Sequence, residues 1–425
     1  MLNIKTIRDN KSLLIERLKI KNFDAAEIIE DLLQTDEERK KLQSENDKLL
    51  AEQKQISKSI GQLFKEGKAE EANAARQKTG ELKGKIQDNT QKLKELEEKQ
   101  SKLLSDIPNI PHETVRAGKS DEDNEEVSRH GKISEPEIKK PHWETISEYD
   151  IIDFDMGNKI TGAGFPVYKG KGAKLQRSLI SFFLDEGEKA GYEEVLPPLL
   201  VNEASGFGTG QLPDKDGQMY EVKEDKYYLI PTAEVPVTNI YRDEILAADD
   251  LPSKRMAYSA CFRREAGSWG SHVRGLNRLH QFDKVEIVRV EAPEKSYAAL
   301  EDMKKHVAGL LEKLELPYRI LRLCGGDLSF TSALTFDFEV YSAGQDRWLE
   351  VSSVSNFEDY QANRLKLRYR DPDTKKPRIA HTLNGSALAL PRIMAAIIEN
   401  NLTAKGIVIP EVLRQYTNFD IIERK

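Results

Sequence analysis

The chain has 425 residues, 38% apolar and 32% charged, with a formal net charge of −7 at pH 7. That length holds two or three domains with sizeable cores, and the mild acidity excludes wholesale coating of nucleic acid while permitting a local basic surface. No stretch approaches the ~18 consecutive apolar residues that cross a membrane; the N-terminus reads as no targeting peptide, and two distant cysteines, Cys261 and Cys324, argue against a disulfide framework and fit a reducing cytosol.

Residues 26–104 contain no proline and are rich in Lys, Glu, Gln and Leu. Positions 28, 32, 35, 39, 42, 46, 49, 53, 56, 60 and 63 follow a 4-3 spacing and read Ile, Leu, Thr, Arg, Leu, Asn, Leu, Gln, Ile, Ile, Leu. Positions 82, 86, 89, 93, 96, 100 and 103 read Leu, Ile, Asn, Leu, Leu, Gln, Leu. This spacing predicts a coiled-coil seam with polar interruptions. A coiled coil between two copies of the chain has the same spacing, but the break at Gly67 favours an antiparallel hairpin. Each helix of roughly 36 residues would reach ~50–55 Å. From Asp36 to Lys102 the hairpin carries 16 Lys and Arg against 14 Asp and Glu, in contrast to the chain as a whole.

Prolines, glycines and mixed charge then mark a linker with little regular structure. The expected division is an N-terminal domain at 1–110, a linker at 111–140 and a second domain at 141–425. In the last, helices are predicted at Ala173–Ala190, Ser296–Leu314 and Ala387–Asn401. Strands are predicted at Glu194–Val201, Tyr227–Ile230, Lys254–Arg263, Gln281–Val290, Phe336–Val340 and Trp348–Val354. Most strand runs alternate and follow one another without a crossover helix. The fold class is therefore α+β: a helical hairpin plus a mainly antiparallel sheet flanked by helices.

The stretch FRREAGSWGSHVRGLNRLHQFDKVE, Phe262–Glu286, holds Arg263, Arg264, Arg274 and Arg278 with Glu265, Asp283 and Glu286. Guanidinium forks suit phosphate and carboxylate. Strand alternation puts Arg263 with Glu265, and Phe282 with Lys284 and Glu286. A hairpin of this kind suits a nucleoside triphosphate: Phe282 stacks on the ring, Glu265 accepts from an exocyclic amine, and the arginines take the phosphates. Surface ion pairs are the plainer account of any single Arg–Glu pair, but not of the combination. YKGKGAK, Tyr168–Lys174, lacks the phosphate-loop pattern. His272 and His280 read as hydrogen-bonding histidines rather than metal ligands.

Over essentially its full length the chain resembles the bacterial-type seryl-tRNA synthetases, a class II aminoacyl-tRNA synthetase family. Phe262–Glu286 resembles the family's motif 2, LNGSALALPRIMAAIIEN (Leu383–Asn400) its motif 3, and GYEEVLPPLLV (Gly191–Val201) its motif 1. The blocks GTGQLP, YYLIPTAEVP and LEVSSVSNFEDYQANR, with the helical hairpin, point to the seryl branch. Val354 stands where the family often has Cys, and Asn363 where Arg is common. Trp269 and His272 lie in a variable loop.

The resemblance implies ATP as substrate, Mg²⁺ as cofactor and L-serine as the amino acid. It implies tRNA(Ser) as acceptor, with tRNA(Sec) left open, a homodimer built on motif 1 and a cytoplasmic location. Arg263 would bridge the α-phosphate and the substrate carboxylate. Glu265 and Phe282 would hold adenine; Arg278 and Arg392 would hold the β/γ end. Arg264, Leu279, Val351 and Ser352 complete the implied ATP site. Glu350 and Ser353 would bind Mg²⁺, and Thr232, Ala233, Glu234, Glu286, Asn384 and Ser386 would form the serine pocket with Arg263. Strand parity instead pairs Glu350 with Ser352, so either a bulge intervenes or Ser352 is the contact. Three competing functions are an armless relative loading a carrier protein, a synthetase for another amino acid, and an inert coiled-coil or RNA-binding scaffold.

Overall fold

The computed structural model describes residues 1–133, 135–215, 217–265 and 273–424. Internal contacts divide it into two units, Met1–Lys19 with Phe23–Pro108, and Ile20–Asn22 with Asn109–Lys425.

In the first unit, short helices at Ile4–Asp9 and Lys11–Lys19 precede α1 (Ala26–Lys65) and α2 (Ala69–Asp106). At 1.5 Å per residue the 40 residues of α1 extend about 60 Å. All the seam positions read from the spacing, Ile28 to Leu63 and Leu82 to Leu103, are buried or half-buried. Lys99 reaches Asp31 (2.6 Å) and Lys78 reaches Glu52 (2.7 Å), so numbering rises along one helix as it falls along the other, and the pair is antiparallel. Buried Asp36 accepts from Arg39 (3.1 Å) on its own helix and from Gln100 (3.0 Å) on α2. Gly67 closes α1 with φ of +78°. The N–H groups of Lys68 and Gly67 take the carbonyls of Leu63 (3.0 Å) and Phe64 (3.2 Å), the capping pattern that a left-handed glycine permits.

The second unit is built on an eight-stranded sheet. Its strands are β1 (Glu125–His130), β2 (Glu193–Glu194), β3 (Ser253–Phe262), β4 (Gln281–Glu291), β5 (Tyr318–Arg322), β6 (Leu334–Ser342), β7 (Arg347–Glu358) and β8 (His381–Ala389). They lie in the order β1-β5-β6-β7-β8-β4-β3-β2. Neighbours are antiparallel except β2 and β3, which bears out the expected sheet. Among its helices are α3 (Gly170–Lys189), α4 (Glu234–Asn239), α5 (Ser296–Lys313) and α6 (Leu390–Asn400). Leu175, Leu179, Phe182 and Phe183 of α3 join Val307 of α5, Ile393 of α6 and Phe338 of β6 in one apolar core. Burying a side chain of this size stabilises by about 1.5–3 kcal/mol. Among the described residues no helix is long and apolar enough to cross a membrane.

Three local expectations are corrected. The predicted strand Glu194–Val201 is interrupted: Glu193–Glu194 joins the main sheet, while Leu200–Asn202 pairs with Tyr227–Leu229 in a separate sheet. Pro197 and Pro198 stand between them and offer no N–H to a ladder. Ala387–Ala389, expected to open a helix, complete β8. Helix α6 starts at Leu390 with Pro391 in its first turn, where a missing N–H costs nothing. The stretch 111–140, expected to be irregular, contains β1, which pairs with β5 at the sheet edge. Its sequence EEVSRH has charged side chains on both sides of the strand and is held through the backbone, so apolar alternation was absent.

Candidate active site

Strands β3 and β4 pair in continuous register from Phe262–Gln281 to Ser253–Val290. Alternation along β4 turns Phe282, Lys284 and Glu286 into one cavity of about 580 Å³, as the sequence predicts. Arg263 and Glu265 also line it, but not by alternation. Strand β3 ends at Phe262, and Glu265 adopts φ of +50°, which redirects the chain. Arg264 lies away from the cavity lining, its N–H bonded to Gln218 O (2.8 Å). Ala233 is buried beneath the site and does not line it either. The other expected residues do: Thr232, Glu234, Arg278, Leu279, Glu350, Val351, Ser352, Ser353, Asn384, Ser386 and Arg392. Trp269 and His272 lie outside the described residues. His280 bonds Arg263 O (3.1 Å) and Tyr220 OH (3.2 Å) through Nδ1, a hydrogen-bonding histidine as expected.

One side of the cavity is cationic. The Arg263 guanidinium lies 5.4 Å from the Phe282 ring centroid, and its Nε donates to Pro231 O (3.3 Å). Arg278 is paired with Glu265. A nucleotide that uses both as expected must first part them. Arg392, from the first turn of α6, donates to Asn277 O (3.1 Å) and Glu350 O (2.6 Å).

The other side is a buried acidic niche. Glu234 begins α4 and Glu286 lies mid-β4; both are buried. Lys284 Nζ donates to Thr232 Oγ1 (2.8 Å) and pairs with Glu286 (2.5 Å). Ser386 Oγ donates to Glu286 (3.4 Å), and Gln361 Nε2 donates to Glu234 (2.7 Å). Burial and then the charge of Glu286 push the Glu234 carboxyl up to about 7, against the pull of Gln361 and Lys284. Two carboxylates served by a single lysine leave the niche suited to one more cation. Lys284 stood on the face read from the sequence without a role there; Gln361 carried no local signal.

The parity problem at Glu350 is resolved by a bulge. The β6–β7 register slips between Phe338 and Glu339: Phe338 pairs with Ser352, but Glu339 with Glu350. Val351 is the extra residue, so Glu350 and Ser353 share a face, with Ser353 Oγ 3.5 Å from Glu350 Oε1. Ser352 points elsewhere and donates to Ser386 O (2.5 Å). Beneath Ser353, Asp337 Oδ1 is buried with no hydrogen-bond partner. Burial, then the charge of Glu350, holds the Asp337 carboxyl well above the usual range.

A family model described as seryl-tRNA synthetase N-terminal domain matches residues 1–111, and one described as tRNA synthetase class II core domain (G, H, P, S and T) matches residues 219–401. The serine–tRNA ligase of Salinibacter ruber is 49% identical over 421 residues, 99% of this chain and 98% of that protein. The chain belongs to the seryl-tRNA synthetase family. The serine–tRNA ligase of Clostridium tetani is 47% identical over 98% of both chains. The seryl-tRNA synthetase of Pyrococcus horikoshii, solved in complex with ATP, superposes with a TM-score of 0.91 at 32% identity over the whole of both chains. Membership in this class II ligase family leaves the carrier-protein and inert-scaffold readings without support.

Proposed function

We propose that the chain joins L-serine to ATP as seryl-adenylate and passes the seryl group to the 3′ end of tRNA(Ser). The observation that carries this is a single cavity in which Arg263, Arg278 and Arg392 face a niche formed by Glu234 and Glu286. The guanidinium side suits a triphosphate. The niche suits an ammonium, and its Thr232, Asn384 and Ser386 suit a small hydroxyl. An alanine in that place would leave buried polar groups unpaired.

A serine carboxylate oxygen attacks the α-phosphorus, the bond to the bridging β-oxygen breaks, and pyrophosphate leaves. Arg263 neutralises charge on both the carboxylate and the α-phosphate. Phe282 offers its ring to adenine and Glu265 accepts from the exocyclic amine. Arg278 and Arg392 hold the β/γ end. In the second step a terminal ribose hydroxyl attacks the seryl carbonyl, AMP leaves, and the hydroxyl proton passes to solvent. The chain acts by positioning and charge stabilisation.

Hard oxygen donors on one face, Glu350 and Ser353, fit Mg²⁺, which keeps waters and substrate phosphates among its ligands. When bound it lowers the repulsion between phosphate oxygens and the incoming carboxylate. The α1–α2 arm, whose stretch Asp36–Lys102 holds slightly more Lys and Arg than Asp and Glu, is the part assigned to tRNA. Motif 1 leaves Leu196 82% exposed and Leu199 and Leu200 exposed beside it. An apolar run of that kind fits the twofold interface of a homodimer.

Serine-dependent exchange of pyrophosphate into ATP tests the first step. Serine is expected to support exchange; threonine, alanine and no amino acid are not. Equal exchange with alanine would overturn the assignment of the niche. Charging of tRNA(Ser) and tRNA(Sec) tests the second step.

A further inference from the structure

Beneath the cationic side of the cavity lies a closed polar network that no step above uses. His142 and Glu399 are both fully buried. His142 Nδ1 lies 2.6 Å from Glu399 Oε1, and the His142 backbone N–H donates to the same oxygen (2.8 Å). On the far side of the ring, the Leu276 N–H donates to His142 Nε2 (2.8 Å). Nε2 therefore carries no proton, which places the ring proton on Nδ1, toward the carboxylate. Ser342 also bonds Glu399. Burial opposes ionisation of Glu399, yet the hydrogen bonds from His142 and Ser342 hold its carboxyl below the usual range. Gln345 extends the network: its Nε2 donates to Glu399 (2.9 Å) and its Oε1 accepts from Asn277 Nδ2 (2.8 Å).

The turn gripped in this way, Gly275–Asn277, runs straight into the cavity wall. Leu276, Asn277, Arg278 and Leu279 all line it, and Asn277 O receives Arg392 Nε. Gly275 has φ of +66°, and a Cβ there would sit 2.3 Å from His142 Nε2. The ring and the turn are thus built against one another. We propose that His142 is a positioning residue for the triphosphate. It holds Leu276 directly, and Asn277 through Glu399 and Gln345, so that the backbone carrying Arg278 and the Asn277 carbonyl that receives Arg392 are set before ATP arrives. The niche for the amino acid rests on α4, β4 and β8 and does not pass through His142.

This inference rests on the functional reading above, and the experiment separates the two. Pyrophosphate-exchange kinetics are measured for the unsubstituted chain and for His142→Phe and His142→Gln. Phe fills the space of the ring without its acceptor; Gln restores an acceptor toward Leu276. His142→Phe is expected to raise the KM for ATP about tenfold or more and leave the KM for serine within about twofold, with His142→Gln recovering most of the loss. An unchanged ATP KM in His142→Phe, or equal rises for ATP and serine, overturns the positioning role. Absence of serine-dependent exchange in the unsubstituted chain overturns the functional reading and the inference with it. If His142→Phe does not fold, Gln345→Ala decides, because Gln345 is half-buried and outside the cavity lining. A rise in ATP KM alone supports the inference, and any other result overturns it.

Discussion

Ser353 Oγ lies 3.5 Å from Glu350 Oε1 although the two are three residues apart on one strand. The bulge at Val351 brings them to one face and sends Ser352 to the other. Substitutions at the two serines should therefore differ in kind. Ser353→Ala is expected to raise the Mg²⁺ concentration needed for half-maximal exchange, and Glu350→Gln to raise it further. Ser352→Ala leaves that concentration unchanged and instead costs about 1 kcal/mol of stability, from the lost bond to Ser386 O. Titrating exchange rate against Mg²⁺, with thermal melts beside it, checks both. A Mg²⁺ effect at Ser352 and none at Ser353 would reverse the assignment.

Burial, then the charge of Glu286, pushes the Glu234 carboxyl up to about 7. Below that pH it is neutral and offers the substrate ammonium no charge. The KM for serine should rise as pH falls through 7, reaching about tenfold at pH 6 relative to pH 8, since one group loses a factor of ten per pH unit. Glu234→Gln should flatten the profile. The stability sign is the reverse. A carboxyl raised in the fold favours the native state fully below its ordinary value, and that contribution is lost as pH rises toward 7. Serine should accordingly raise the melting temperature more at pH 8 than at pH 6.

The Arg263 side chain donates to Pro231 O and covers the Phe282 ring. Arg263→Ala should cut serine-dependent exchange by about 10²–10³-fold, the scale of losing one aimed charge in a dry site, while the protein stays folded by circular dichroism. Arg263→Lys should not restore it, because a point charge cannot bridge carboxylate and phosphate as a fork does. A near-normal exchange rate in Arg263→Ala would remove this arginine from the reaction.

The arm should separate from the chemistry. Deleting Glu37–Leu104 is expected to spare pyrophosphate exchange and impair transfer to tRNA; unaltered tRNA charging would contradict the role given to the arm. Within the arm, Asn46 and Asn89 are buried in the seam, and Asn46 Oδ1 and Asn89 Nδ2 have no hydrogen-bond partner. Such residues specify register at a cost in stability. Asn46→Leu is expected to stabilise the isolated arm by about 1 kcal/mol in urea melts.

What was legible in the sequence is what depends on neighbours along the chain. The seam of α1 and α2 repeats every few residues, and the face of β4 that carries Phe282, Lys284 and Glu286 follows from alternation alone. Strand β1 was hidden, because its pairing with β5 is made by backbone while its side chains are charged. The bulge at Val351 depends on the register of a partner strand, which a single strand's sequence does not contain. Glu265 reaches the cavity through a left-handed turn rather than strand alternation, so its place in the cavity was expected on an incorrect geometric argument. His142 and Glu399 gave no signal at all. Each stands in an ordinary local context, and only the fold brings them 2.6 Å apart.

The turn at Glu66–Lys68 ties α1 to α2 within one chain. The two helices therefore meet at an effective concentration set by a three-residue tether rather than by the amount of protein in solution. Dilution does not melt the arm, mixing two variants does not exchange its helices, and its local contacts favour rapid closure.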